Sequence, residues 1–227
     1  MKLDRHGRAK ILTQSEIELL FNKGFTLNPP RDRALFAIML YTACRVNEAV
    51  QLLVRDVFDS ERQVHPCIIF RKKNTKGKLA TRSIPVINEL RYWLLQYPLP
   101  HYQSYLFQGQ EYQGRKFLHP SSASWILREA CKRVGIKGVS THSFRRTALT
   151  QMSNAGIPLR IIQEISGHRT LDELYKYLEV QDAQVIGAVN SLSMLSAVNS
   201  SEEELQKPRF LEAPPNFPKG DPSNKQL

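Results

Sequence analysis

The chain has 227 residues, 41% of them hydrophobic, enough to build one sizeable globular body. Its 32 Lys and Arg against 21 Asp and Glu give a formal charge of +11, which points to a polyanion partner, most simply nucleic acid, or else to a merely basic soluble protein. No apolar run reaches the roughly 18 residues of a membrane span and Met1 to His6 is too polar for a secretory leader, so a cytoplasmic protein without a membrane partner is expected (nucleoid-associated if prokaryotic).

Most of the pattern is helical. Thr13-Gln14-Ser15-Glu16 reads as a capping box, Ile17, Leu20 and Phe21 supply an apolar stripe, and Gly24 stops the helix. Pro29-Pro30 precede a second helix with Leu35, Ile38 and Tyr41 at helical spacing, and a third runs from about Val46 to Leu53, leaving Arg45 at the junction. His65–Phe70 and Ser83–Val86 then read as short strands, with Arg71–Lys78 as the basic tip of a hairpin. Asn88, Ser122 and Thr141 are the expected caps of further helices, the second of which ends at Gly135.

Gly156 and Pro158 close the Thr141 helix, and Pro158 suits the first turn of a short helix carrying Ile161, Ile162 and Ile165. That helix breaks at Gly167-His168, and Thr170–Glu173 is a second capping box, opening a helix through about Val180. Val185, Ile186, Val189, Leu192 and Leu195 make a further apolar face, expected to dock on the body itself or on a neighbouring protomer. Residues 195–227 hold four basic and five acidic residues with Pro208, Pro214, Pro215, Pro218 and Pro222, and are expected to form a disordered tail. Residues 1–194 then form a single domain with 28 basic and 16 acidic residues, a charge of +12.

Several chemistries find no support. Cys44, Cys67 and Cys131 are far apart and read as reduced thiols, the six histidines are scattered, and neither glycine-rich nucleotide motif occurs. Neither a cofactor nor a metal is expected. His142 and Arg145, three apart at a helix start, share a face and suit a phosphate, although they also read as a terminal His beside a solvated Arg. Arg45 reads either as a ligand clamp or as an internal partner of Glu48. Lys72, Lys73, Lys76 and Lys78 read as a solvated turn or as contacts to a DNA backbone. On the helix after His168, Leu171, Leu174 and Leu178 mark the apolar face. At about 100° per residue Tyr175 falls at the core boundary and Tyr177 at the edge, where its hydroxyl reaches a cleft, although both also read as packing.

Taken in order, Thr42-Ala43-Cys44-Arg45-Val46-Asn47-Glu48, Lys73-Asn74-Thr75-Lys76-Gly77, Thr141-His142-Ser143-Phe144-Arg145-Arg146-Thr147, Ser166-Gly167-His168 and Tyr177-Leu178-Glu179-Val180 resemble the catalytic signature of the tyrosine recombinases, the phage integrase family. The resemblance spans roughly residues 10 to 185. Cys44 and Ser166 stand where the family usually has apolar residues, and read as tolerable packing changes. The implied fold is mostly α with a small antiparallel β-sheet (α+β), that of a tyrosine recombinase catalytic domain.

The implied function is site-specific recombination, with DNA strands cut and rejoined through a covalent 3′-phosphotyrosine. Tyr177 would be the nucleophile, Arg45 and Arg145 the phosphate clamp, and Lys76 the acid for the leaving oxygen, with Lys73 as the fallback. His142 and His168 would hydrogen-bond the phosphate and assist proton transfer. The implied partners are double-stranded DNA and further copies of the chain, as a tetramer on DNA. Family members usually carry an N-terminal helical domain that closes the DNA clamp. Only about a dozen residues precede the first helix here, so that domain is expected to be absent, and a separate protein supplying it is a candidate partner. A non-catalytic DNA-binding or regulatory remnant, and a type IB topoisomerase-like nicking-closing enzyme, stay open as alternatives.

Overall fold

The computed structural model describes residues 9–71, 81–112, 115–178 and 182–195. The chain divides into two units, Met1–Val180 and Gln181–Leu227. In the first, helix α1 spans Gln14–Leu19. The Thr13 hydroxyl accepts the Glu16 N–H and the Glu16 carboxylate accepts the Thr13 N–H, so both halves of the capping box form. A π-helical turn, Leu20–Gly24, continues it.

Helix α2, Pro29–Tyr41, takes both prolines as its first two residues, where a missing N–H costs nothing. Every residue from Ala34 to Met39 is fully buried, so α2 is a central helix with no solvent face. It packs against α3 (Val46–Val50), α4 (Asn88–Leu95) and α6 (Thr141–Asn154). The rings of Phe25, Phe36 and Phe144 stack in series at 5.0 and 5.1 Å across this core.

Helix α3 stops at Val50, short of the expected Leu53. There the backbone turns to pair with another segment: Leu106 N–H donates to Leu52 O and Val54 N–H to Ser104 O. A 3₁₀ turn, Val54–Asp56, follows. Strands β1 (Cys67–Phe70) and β2 (Arg82–Pro85) are antiparallel with Phe70 opposite Arg82. The basic tip, including Lys72, Lys73, Lys76 and Lys78, lies outside the described residues.

A second antiparallel pair, β3 (Gln108–Tyr112) with β4 (Arg115–Phe117), was not legible, because these segments are polar and lack alternation. Gly109 permits the close pairing: a Cβ there would fall 2.7 Å from Phe117 O. The protein is therefore mostly helical with two small antiparallel sheets.

Helix α5, Pro120–Arg133, starts before Ser122, with His119 as its cap: the His119 ring accepts the Ser121 N–H. The cap of α6 is Ser140, one residue before Thr141. Pro158 likewise caps α7 (Leu159–Ser166) from outside its first turn. Helix α8 is only Leu171–Tyr175, not a helix through Val180. Thr170 caps it, but Glu173 turns to the Arg169 N–H, so only half of that capping box forms. A small second core joins Ala43, Leu149, Ile162 and Leu174.

The second unit has α9 (Asp182–Asn190) and a 3₁₀ turn, Ser191–Leu195, on which Val185, Ile186, Val189, Leu192 and Leu195 are exposed. The expected disordered tail lies outside the described residues. Among the described residues, no helix is long and apolar enough to cross a membrane.

The aromatic series yields a prediction. Phe36→Ala removes its middle ring at a site with no exposure and should cost about 3–5 kcal/mol in denaturant unfolding. A loss below about 0.5 kcal/mol, the scale of a surface change, would show that the stack is not central.

Candidate active site

Three chain breaks bring the site together. At the first, between α2 and α3, Ala43 adopts φ 51°. A left-handed alanine costs on the order of 1–3 kcal/mol. Its carbonyl accepts from Arg145 Nη1, which joins this turn to α6. Arg45 follows as the cap residue of α3, with its side chain 23% exposed. Glu48, almost wholly buried, accepts from the Arg45 N–H at 2.8 Å and from Arg45 Nη1 at 3.4 Å. Arg45 is thus paired internally and still reaches solvent.

At the second break, the start of α6, His142 and Arg145 share a face. With Thr141, Cys44, Arg45, Val46 and Asn47 they line a pocket of about 170 Å³. His142 is exposed at its rim, and Arg145 is 1% exposed. Arg145 Nη2 donates to Ser166 O at 2.9 Å, while its buried Nε has no acceptor. Arg146 points elsewhere, donating to Ala9 O.

The third break is Gly167-His168, where Gly167 ends α7 in the left-handed conformation, φ 64°. His168 Nε2 lies 2.8 Å from Arg145 Nη2 and its Nδ1 lies 2.8 Å from Ser166 Oγ. Arg145 can only donate, so Nε2 accepts and the ring proton sits on Nδ1, facing Ser166. Ser166 Oγ in turn lies 3.2 Å from Gln163 O. Ser166 is therefore more than a packing change, because its hydroxyl donates to Gln163 O and is placed to accept the Nδ1 proton that Arg145 dictates.

Tyr177 lies in the turn after α8, its ring 5.0 Å from that of His168 and 5.6 Å from the Arg145 guanidinium carbon. Tyr175 is 53% exposed, away from the core boundary expected for it. Helix α8 ends at Tyr175, leaving Tyr177 and Leu178 in the turn beyond it, and Leu171 is itself 38% exposed, so of the expected apolar face only Leu174 is fully buried.

The structure thus brings together Arg45, His142, Arg145, His168 and Tyr177, whereas Lys76 and Lys73 lie outside the described residues. Sequence reasoning missed Arg82. Its signal was an arginine on the same strand face as buried Ile84, two residues on. Among the described residues, no group of three or more His, Cys, Asp or Glu could hold a metal ion.

Burial and cation charge set the protonation states. Desolvation first, then the Arg145, Arg45 and Arg82 charges, push His168 down to about 3. Desolvation, then Arg145 and Arg45, also lower His142. Burial and the neighbouring Arg45 bring Arg145 down to about 10, still charged at neutral pH. Burial and then Glu48 raise the Cys44 thiol to about 12, which keeps it unreactive.

The phage integrase family model matches residues 10–184. The chain belongs to the phage integrase family. It is 26% identical over 182 residues to a tyrosine recombinase of Thermosipho africanus, covering 80% of this chain and 61% of that protein. It is 30% identical over 186 residues to a tyrosine recombinase of Pseudothermotoga lettingae, covering 80% and 60%. The chain therefore spans about three fifths of the length of these curated relatives. Among solved structures, a XerA recombinase superposes with a TM-score of 0.62 at 23% identity, covering 84% of this chain and 65% of that one. The catalytic domain of bacteriophage HP1 integrase gives 0.57 at 23% identity, covering 81% and 95%. These likenesses show that the fold is that of tyrosine recombinase catalytic domains.

The state of His168 makes stability pH-dependent. Its folded value lies below the ordinary 6.5, so the unfolded chain takes up the proton more readily. The contribution is complete above pH 6.5 and is lost as pH falls toward about 3. His168→Asn should flatten the stability profile over that window. Equal slopes for the variant and the parent would contradict a buried, neutral His168.

Proposed function

We propose that the chain is a site-specific DNA recombinase that cuts and rejoins strands through a 3′-phosphotyrosine at Tyr177. The observation that carries this reading is that Arg45, His142 and Arg145 line one pocket while the Tyr177 ring lies against Arg145 and His168. The scissile phosphate takes the pocket, with the Arg45 and Arg145 guanidinium groups neutralising charge on its nonbridging oxygens. The Tyr177 hydroxyl gives its proton to neutral His142 as its oxygen attacks phosphorus, the P–O5′ bond breaks, and the 5′-oxygen leaves with a proton from the hairpin lysine, Lys76 or its fallback Lys73. The reverse attack by a 5′-hydroxyl frees Tyr177, so no nucleotide energy source enters.

Neutral His142, at the rim, hydrogen-bonds the phosphate and takes part in proton transfer. His168 spends both ring nitrogens on Arg145 and Ser166 and so orients the clamp until phosphate arrives. Charge neutralisation falls to the arginines, and no step is assigned to a metal. Joining two duplexes exchanges four strand ends and requires four nucleophiles, so the chain acts as a tetramer on double-stranded DNA. One neighbour in fold is a XerH recombinase captured on its difH substrate after cleavage, with a TM-score of 0.60 at 21% identity.

Incubation with nicked suicide duplexes tests the chemistry. Tyr177→Phe should abolish the protein–DNA adduct and leave the fold intact, whereas Tyr175→Phe should leave adduct formation unchanged. The opposite pattern would make Tyr175 the nucleophile, and no adduct from the parent chain would favour a binding remnant.

The charge of +11 sets the binding mode. Across a salt series, log K should fall with log[salt] by about 0.9 for each phosphate contacted. A salt-independent complex would contradict a backbone-dominated interface.

A further inference from the structure

We propose that Arg82, outside the five signature segments, is a positioning residue that locks the Arg45 turn, strand β2 and the Gly167-His168 turn into one body. The inference rests on the phosphate-site reading above. Arg82 stands on the inward face of β2 with its side chain 10% exposed. Its guanidinium divides between two elements. Nη2 donates to Glu48 Oε2 at 2.9 Å, on the carboxylate that also takes the Arg45 N–H. Nη1 donates to Ile165 O at 2.8 Å.

The next carbonyl, Ser166 O, is taken by Arg145. The last two carbonyls of α7, which have no partner within the helix, are thus held by two different guanidinium groups at the negative end of the helix dipole. One of these arginines carries the clamp and the other anchors it.

Gly167 provides the space. A Cβ there would lie 2.7 Å from Arg82 Nη1 and 2.9 Å from Cζ. Glycine is therefore needed twice, once for φ 64° and once so that the Arg82 fork can lie across the turn. The same guanidinium rests 5.4 Å from the Phe70 ring centroid, which fixes its plane.

The consequence falls on Arg45. Glu48 holds Arg82 at 2.9 Å and the Arg45 side chain only at 3.4 Å. With Arg82 in place, the carboxylate is largely committed, and the Arg45 fork stays available to the pocket. Without Arg82, Glu48 would be a buried carboxylate whose remaining ion pair among the described residues is with Arg45, and would draw that side chain inward. Lysine cannot replace this function, because a single ammonium does not span Glu48 and Ile165 as a planar fork does.

The test titrates inorganic phosphate into the full chain and follows the His142 ring and the arginine Nε–H resonances by NMR. The parent should respond at His142, Arg45 and Arg145. Arg82→Gln should bind phosphate roughly tenfold or more weakly, the scale of a misplaced binding group. Arg82→Lys should fail to restore affinity, although it keeps the charge. Arg71→Gln is the control, because it removes the same charge from the other hairpin leg, where Arg71 pairs with buried Asp56. It should lower thermal stability while leaving phosphate affinity unchanged.

Parent-like affinity in folded Arg82→Gln or Arg82→Lys would overturn the proposal, as would equal weakening by Arg71→Gln. If Arg82→Gln does not fold, Arg82→Lys decides alone. A parent chain with no response at His142 would sink the phosphate-site reading itself, and the role of Arg82 with it.

Discussion

One buried carboxylate organises the cationic centre. Glu48 is 2% exposed and accepts from both Arg45 and Arg82, while Arg145 is buried close by. Three guanidinium groups against one carboxylate leave an excess of positive charge where water is scarce. Such an arrangement is costly unless the spare donors find acceptors. Much of the local fold supplies them: the strained Ala43 carbonyl, the last two carbonyls of α7, and the neutral ring of His168. The buried Nε atoms of Arg82 and Arg145 still lack an acceptor, so the positive charge of the centre is not fully offset by the protein.

The same constraint explains why the segments that matter are chain breaks. A helix interior has no free carbonyl to offer a buried arginine, whereas a helix end or a left-handed turn does. The α2–α3 turn, the start of α6 and the end of α7 meet for that reason, and the intervening helices set the distances. Helix α6 is fixed from behind as well, because the Leu12 N–H donates to Thr147 Oγ and Arg146 donates to Ala9 O. His142 and Arg145 thus stand on a helix held on both sides.

Much of this was legible in the sequence, and the gaps have physical causes. The capping box at Thr13, the helix that follows Pro29-Pro30, the hairpin strands and the Gly167 break follow from local spacing. The early ends of α3 and α8 do not, because long-range pairing at Leu52 and a turn after Tyr175 override helical periodicity. The β3–β4 pair carries no alternation, and its close approach at Phe117 depends on Gly109. Arg45, His142, Arg145, His168 and Tyr177 were singled out only through the resemblance of their segments, in order, to the recombinase signature. Arg82 was not, since its meaning comes from Glu48 and Ile165, 34 and 83 residues away in sequence. Ser166 was misjudged because spacing cannot show that its hydroxyl meets an imidazole.

The most direct measurement is peptide mapping of a covalent DNA adduct. Cleavage after Arg169 and Lys176 places Tyr175 in the peptide Thr170–Lys176 and makes Tyr177 the first residue of the next. After nuclease trimming of a trapped complex, the account predicts a residual nucleotide mass on the peptide that begins at Tyr177, with Thr170–Lys176 unmodified. The mass on Thr170–Lys176, or on a serine-bearing peptide elsewhere, would contradict it.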